Sequence, residues 1–568
     1  MQTTSNPRDP TGQPAPDPGA AFRVGQRVHF ARQPSRIGTV KYVGPVEGYS
    51  GDWIGVDWVA DGEGKHDGSH NGVRYFTARG PNTASFVRPH NLSAGVSLLE
   101  ALETRYRTAS TKEEEDEMYV LSARNKRVSI ELLGKHKIED KLSRFEELTS
   151  ASLSYLGVSF PGSPDHLSST LPNIKELDLT GNLLSNWEDV GIVCEGLPAL
   201  TTLNLSNNSM SPDIISVPQL SNIRILVLNQ TGVIWKQVEV LKDSLPHVEE
   251  LHLMGNKIIE ITPVSSTVVQ GFNSLRLLNL ENNCLSAWDE IIKLSQLRSL
   301  EQIFLNNNNL NRLWYPDCGK LDERYNGCES HEKSFRPFSS LRGLSLGGNN
   351  IEDLESVDSL NSFPNLMIIF GKSSDRLFAL VYIREIRLSE NPVADLGKGG
   401  VPRFVFIARL AKIKILNGSE VSPRERKDSE IRYVRLVMSK FHGSPEEIKR
   451  LHPRFAELKK IHGLDDERPS EGASGSQTMA SGLLSITLKC VGASMGEKPP
   501  LVKKLPATTT VGKLKFLCDI FFKLKSIKPI LFLQEEGTPL PSLLDGDMAT
   551  LNELGVGNES TILVDEQS

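Results

Sequence analysis

Cysteine is scarce: six residues in 568, scattered from Cys194 to Cys518. A disulfide framework would pack them far more densely, so a reducing, cytoplasmic setting fits this chain better. Cys318, Cys328 and His331 fall close together, but no fourth ligand stands at a structural zinc spacing, and no metal site is expected. Long apolar runs are missing too. No window approaches the ~20 apolar residues of a spanning helix, so no membrane segment is expected. The net charge of −6 carries no clustered basic excess, which argues against nucleic acid as a partner. Catalytic signatures are absent as well. There is no H-E-x-x-H or G-x-S-x-G, and Gly371-Lys372-Ser373 has Leu366 where a phosphate-binding loop needs its first glycine. The expectation is a non-enzymatic protein with no bound cofactor.

What is present is a repeat. L-x-x-L-x-L-x-x-N recurs as Ile174-Leu177-Leu179-Asn182, Leu200-Leu203-Leu205-Asn208, Val248-Leu251-Leu253-Asn256, Leu275-Leu278-Leu280-Asn283, Leu300-Ile303-Leu305-Asn308 and Leu341-Leu344-Leu346-Asn349. Degenerate copies start at Leu148 and Ile223. The starts step by 23 to 27 residues up to Leu300, inside the range of leucine-rich repeats. Each unit predicts one short strand with its Leu pair inward and its Asn bonding backbone at the turn. One repeat cannot bury its apolar face alone, whereas a stack buries a continuous core. The step from Leu300 to Leu341 is too long and predicts a polar surface loop within 314–333. The strand after Leu366 fails at Gly371, and the pattern returns as Ile383-Ile386-Leu388-Asn391. Residues 367–383 therefore read as an insertion in one repeat. The outward positions beside the Leu pairs form a concave row: Ser152, Asp178, Asn204, Val227, His252, Asn279, Phe304, Ser345 and Arg387. This mixed polar face suits protein recognition, with Asp178, Asn204, His252, Asn279, Phe304 and Arg387 as its candidate contacts. Phe404 to Ile407 and Ile413 to Leu416 predict a terminal cap, and a charged helical stretch runs from Ser422 to about Gly463.

Residues 22–92 follow another pattern. Short strands are predicted at Val24 to Val28, Ile37 to Val43 and Trp53 to Trp58, with glycine at the turns. Gly64-Lys65-His66-Asp67-Gly68 follows, then Gly72-Val73-Arg74-Tyr75-Phe76 and Phe86 to Pro89. The loop from Gly62 to Gly72 reads as irregular. These residues resemble a CAP-Gly domain, whose signature is G-K-N-D-G followed by G-x-x-Y-F. The resemblance implies a groove for an acidic tail ending in an aromatic residue. Gly64, Lys65, His66, Asp67 and Gly68 would form its polar side. Lys65 offers charge to carboxylates, glycines let backbone N–H groups approach, and Trp53, Phe76 and Phe86 line an apolar slot. His66 stands where most of the family carry Asn, and an imidazole there would change charge near neutral pH.

Past a small, polar linker at 465–481, the chain alternates at Leu484 to Leu488 and again near Leu501 to Leu505. Thr510 to Leu514 begins a helix with apolar spacing through Leu517, Phe521 and Leu524. Strands at Ile530 to Leu533 and Ser560 to Val564 complete a β-β-α-β-β order that resembles ubiquitin. The end, Val564 to Ser568, has no Gly-Gly, so a docking module is expected rather than a conjugated one.

The expected organisation is a polar disordered leader (1–21), CAP-Gly domain (22–92), helical linker and solenoid N-cap (93–147), repeats (148–395), C-terminal cap and helices (396–464), linker (465–481) and ubiquitin-like domain (482–568). The class is multidomain α+β: a small CAP-Gly β-barrel, a leucine-rich-repeat α/β solenoid and a ubiquitin-like β-grasp. That order resembles the tubulin-folding cofactor E family. The resemblance implies binding of α-tubulin and work with tubulin-folding cofactors D, C and B in assembling and dismantling the α/β-tubulin heterodimer, in the cytoplasm or on the cytoskeleton. Two alternatives stay open: an adaptor linking tubulin to the proteasome, and a microtubule-end adaptor.

Overall fold

A strand of three residues cannot hold itself together, and the repeats solve this by stacking. The computed structural model describes residues 22–107, 119–121, 127–129, 140–263, 267–316, 336–366, 385–395, 398–440, 443–464, 483–492, 498–524, 528–534 and 541–566 except 545, 552, 553, 555 and 558. The segments expected as leader, as the insertion at 367–383 and as the 465–481 linker lie outside the described residues, as do Cys318, Cys328 and His331. The chain divides into two units, residues 1–284 and 285–568.

The first unit opens with an antiparallel sheet in the order Ala84–Val87, Asp52–Trp58, Gln33–Pro45, Arg27–Phe30, Leu92–Ser93. Its core is Val28, Val40, Ile54, Val56, Trp58, Val87 and Leu92. The 62–72 segment is more ordered than its glycine content suggests. Ser69–His70 pairs with Val73–Arg74 around Asn71 and Gly72, which take φ of 47° and 82°. That is the left-handed pair of a tight hairpin turn.

Solenoid and barrel meet through paired strands. Val96–Ser97 runs parallel to Val158–Phe160. Ser97 then caps the helix Leu98–Tyr106 in a reciprocal capping box with Glu100. That helix buries Leu98, Ala101 and Leu102. Between this helix and the first repeat the expected helical linker contains a hairpin, Tyr119–Leu121 with Arg127–Ser129. The repeat strands Ser150–Ser152, Glu176–Asp178, Thr202–Asn204, Ile225–Val227, Glu250–His252 and Leu277–Asn279 then stack in parallel. Helices Trp187–Gly196 and Trp235–Leu241 each begin on a buried tryptophan.

Asparagine joins the turns. Asn256 donates Nδ2 to the carbonyls of Leu228 (2.8 Å) and Leu253 (2.9 Å), and its Oδ1 accepts from the N–H of Thr231 and Gly232, both 2.8 Å. Asn283 repeats this on Leu253, Leu280, Asn256 and Ile258. Thr231 replaces the Asn in the degenerate copy and reaches one carbonyl, Leu228.

In the second unit the strands Gln302–Phe304, Gly343–Ser345 and Glu385–Arg387 stack in register. Asn349 bonds the carbonyl of Leu305 and Asn391 that of Leu346, despite the extra residues between them. Long insertions therefore leave the ladder intact, because closing a longer loop costs only ~0.6 kcal/mol per doubling. Ile415–Leu416 pairs with Glu385–Ile386 and turns back through Asn417-Gly418. Helix Arg403–Arg409 buries Phe404 to Arg409. The buried Arg409 guanidinium is held by Asp358 and by the Tyr433 hydroxyl at 2.9 Å. The charged helical stretch is divided into three helices: Pro423–Lys440, Pro445–Leu451 and Phe455–Ile461. Pro445 and Pro453 lack the N–H a continuing helix needs.

The last fold is a mixed sheet in the order Leu501–Pro506, Leu483–Cys490, Thr561–Glu566, Pro529–Gln534, Ser542–Leu543. Ser542–Leu543 is one strand more than the sequence pattern shows. Helix Val511–Phe522 buries Val511, Leu514, Cys518 and Phe522, so Phe521 faces outward and not into the core. No helix among the described residues is long and apolar enough to cross a membrane.

Removing a ladder asparagine strands several buried groups at once, each costing ~1–3 kcal/mol. Asn256→Ala is expected to destabilise the solenoid by about 3 kcal/mol or more, read as a fall in its urea midpoint. A change under about 0.5 kcal/mol would rule out this role for the ladder.

Candidate functional site

Two surfaces carry the residues singled out by the sequence. On the barrel, strand register builds an aromatic row: Tyr42 lies opposite Gly55, and Gly55 opposite Phe86. Gly55 is required there, because a Cβ would stand 2.3 Å from the Phe76 ring. Phe86 is the hub. Its ring centroid is 5.2 Å from Tyr75, 5.8 Å from Phe76 and 6.1 Å from Tyr42, and it stacks on His66 at 4.9 Å. Trp53 belongs to a neighbouring group, with Tyr49 at 5.6 Å and the Arg88 guanidinium 3.9 Å over its ring. Tyr49 and His70, 5.4 Å apart, link the two groups. Most of these rings are half-buried, an apolar surface open to a ligand. Trp53 Nε1 and His70 Nε2 are buried with no hydrogen-bond partner among the described residues.

The backbone of the Gly64 to Gly68 segment is largely committed to the fold. Four of its N–H groups are already used: Gly64 donates to Asn82 (2.9 Å), Lys65 and His66 to Ala84 (2.6 and 3.2 Å) and Gly68 to His66 Nδ1 (3.0 Å). Gly64 is needed by the fold, since a Cβ would lie 2.2 Å from the Thr83 carbonyl carbon. Asp67 is tied to Arg74 at 2.8 Å and to the Ser69 N–H, and Arg74 foremost holds its carboxyl below the usual value. Lys65 is the cation of the motif and projects into solvent, and the Asp67 carboxylate is partly exposed beside Arg74. For His66, burial first and His70 second push the pKa below 6.5, partly offset by Asp67. The charge change expected near neutrality therefore moves to lower pH.

On the solenoid of the first unit, Ser152, Asp178, Asn204, Val227, His252 and Asn279 form one continuous row. Three of them double as turn-makers. Asp178, Asn204 and Asn279 each accept from the N–H two residues on, at 2.9–3.0 Å. Burial raises the Asp178 pKa, but the Thr180, Ser154 and Ser152 hydroxyls outweigh it and leave it lowered. His252 Nε2 lies 3.4 Å from Glu250. In the second unit Phe304, Ser345 and Arg387 are in register. Phe304 is half-buried and Arg387 exposed, while Ser345 is buried and leaves the candidate face.

With this geometry in place, comparison with known proteins is decisive. A family model for the CAP-Gly domain matches residues 24–92. Tubulin-folding cofactor E of Arabidopsis thaliana is 62% identical over 96% of this chain and 98% of its own length. The chain belongs to the tubulin-folding cofactor E family. Human tubulin-specific chaperone E is 29% identical over 95% of this chain and 98% of its own. The solved C-terminal ubiquitin-like domain of mouse tubulin-specific chaperone e is 28% identical, covering 17% of this chain and 96% of that one at a TM-score of 0.14.

In this member of the cofactor E family, the structure gathers His66, Phe76 and Phe86, and sets Trp53 beside them through Tyr49 and His70. Tyr42, Tyr49, His70, Tyr75 and Arg88 are the residues the sequence reading missed. No sequence signal marked them, because the register that sets Tyr42 and Phe86 on either side of Gly55 belongs to the paired strands.

Gly64→Ala is expected to unfold the barrel, seen as loss of its dispersed amide signals, because the clash is with backbone. Because folded His66 binds its proton more weakly than the unfolded chain, lowering the pH below 6.5 costs barrel stability. Its ring titration, followed by NMR in histidine-labelled protein, should have a midpoint below 6.5; a midpoint at or above that value would contradict the burial argument.

Proposed function

We propose that this chain is a tubulin-folding cofactor that binds α-tubulin and acts with cofactors D, C and B in assembly and disassembly of the α/β-tubulin heterodimer. The observation that carries the reading is the barrel groove: an open aromatic surface around Phe86, with Lys65 at its edge. An acidic tail with a terminal aromatic residue satisfies both. Its ring stacks in the groove, and its carboxylates meet Lys65.

The concave row supplies a second contact for the tubulin body. Linking the two raises the effective concentration of the second once the first has formed. The chain then works by holding and positioning tubulin and supplies no reacting group of its own. One observation favours an additional reading as proteasome adaptor: the ubiquitin-like fold exposes Phe516 and Ile520, one turn apart on its helix.

The test is size-exclusion chromatography with α/β-tubulin, intact or trimmed of the last tail residues. Intact tubulin should form a complex, and trimming or Lys65→Ala should weaken it about tenfold, which is ~1.4 kcal/mol. Equal complex formation with trimmed tubulin would reject the groove as the tail site. Cofactor activity lost on deleting 482–568, with tubulin binding intact, would shift weight to the adaptor reading.

A further inference from the structure

The convex side of the first unit carries a groove that tail binding leaves unused. Its origin is a missing helix. The repeats starting at Ile174 and Ile223 follow their strands with helices Trp187–Gly196 and Trp235–Leu241, but the one starting at Leu200 does not. Pro212 and Pro218 break its convex segment, which runs irregularly over 211–222. Beside Trp187–Gly196 this leaves a cavity of about 590 Å³. At the floor the segment presses on Gly191, where a Cβ would stand 3.2 Å from the Pro218 ring.

The walls are apolar and the rim is acidic. Ile192, Val217 and Ile223 line the cavity. Val217 is 44% exposed, and Ile215 beside it is 91% exposed. Glu188 and Glu195 line the helix side and are both exposed. Seven residues apart, they share one face of that helix, separated by about 10 Å along its axis. The residues lining the cavity include no Lys, Arg or His, so Glu188 and Glu195 are its charged groups. Lys175 and Arg224 flank this stretch of the chain, and Arg224 is paired with Glu249 at 2.7 Å.

From this geometry we infer that the groove docks a basic peptide segment of a partner protein. Its aliphatic or aromatic anchor enters between Ile192 and Val217. Lys or Arg residues three positions apart in a polyproline II chain, on one side of it and about 9 Å apart, pair with Glu188 and Glu195. This chemistry is opposite in sign to the acidic tail of the barrel groove. The two sites therefore accept different ligands and bind without competing.

The test uses a short fluorescein-labelled peptide with Lys-Gly-Leu-Lys at its centre, and its Glu-Gly-Leu-Glu counterpart, titrated by anisotropy against the full chain. The basic peptide should bind saturably and the acidic one should not. The double variant Glu188→Lys/Glu195→Lys, exposed on the helix surface, should weaken binding about tenfold or more through two reversed pairs. Val217→Ser should weaken it several-fold with the charges intact, which separates docking from general attraction to acid. Deuterium uptake across 211–222 should fall when the peptide is present. Lys65→Ala should leave this binding unchanged, so failure here is distinguishable from failure at the barrel. Binding that survives both groove variants, protection confined to the concave strands, or self-association of the chain abolished by Glu188→Lys/Glu195→Lys would each overturn the proposal.

Discussion

The buried asparagine amide is the interaction on which the rest depends. A solenoid turn leaves carbonyls and N–H groups pointing into the interior, where no water can satisfy them. An Asn side chain carries both a donor pair and an acceptor, so a single residue satisfies groups on its own repeat and on the one before. Asn256 does this with four backbone partners, and in the second unit Asn349 and Asn391 do it with the same geometry. Because each amide bonds the preceding repeat, it also sets the register of adjacent strands. The concave row is a consequence of that register.

In the barrel the equivalent constraint is close approach. Gly55 lets the Phe76 ring lie on the sheet, and Gly64 lets the 64–66 segment pair with Ala84. These glycines shape the groove from beneath rather than touching what enters it. Within the Gly-Lys-His-Asp-Gly motif Gly64 and Gly68 are held by close backbone approaches, while Lys65 is exposed. The same division holds on the solenoid, where Asp178, Asn204 and Asn279 close turns as well as facing outward.

Legibility followed periodicity. The repeats were readable because Leu and Asn return at fixed offsets, and the strand Glu385–Arg387 was readable from Ile386, Leu388 and Asn391 even across a long interruption. The ubiquitin-like helix was misread at Phe521, because Phe521 and Phe522 are adjacent and only packing decides which one the core takes. The cap was readable as helical but its internal boundaries were not, since charge pattern runs straight through breaks at Pro445 and Pro453. His66 was read with an ordinary titration, because burial and a second histidine nearby are properties of space and not of neighbours in sequence.

By itself the sequence determined the architecture: which segments form repeats, which form the glycine-rich barrel, and which order of folds marks the family. Those features rest on local pattern, where one residue type at one spacing has one low-energy use. Tertiary structure alone decided the surfaces. It joined Tyr42 to Phe86 across Gly55, buried Ser345, lowered the His66 pKa and opened a convex groove where two prolines displaced a helix. Each of these depends on residues far apart in the chain meeting at a few ångströms, and only the folded backbone sets those distances.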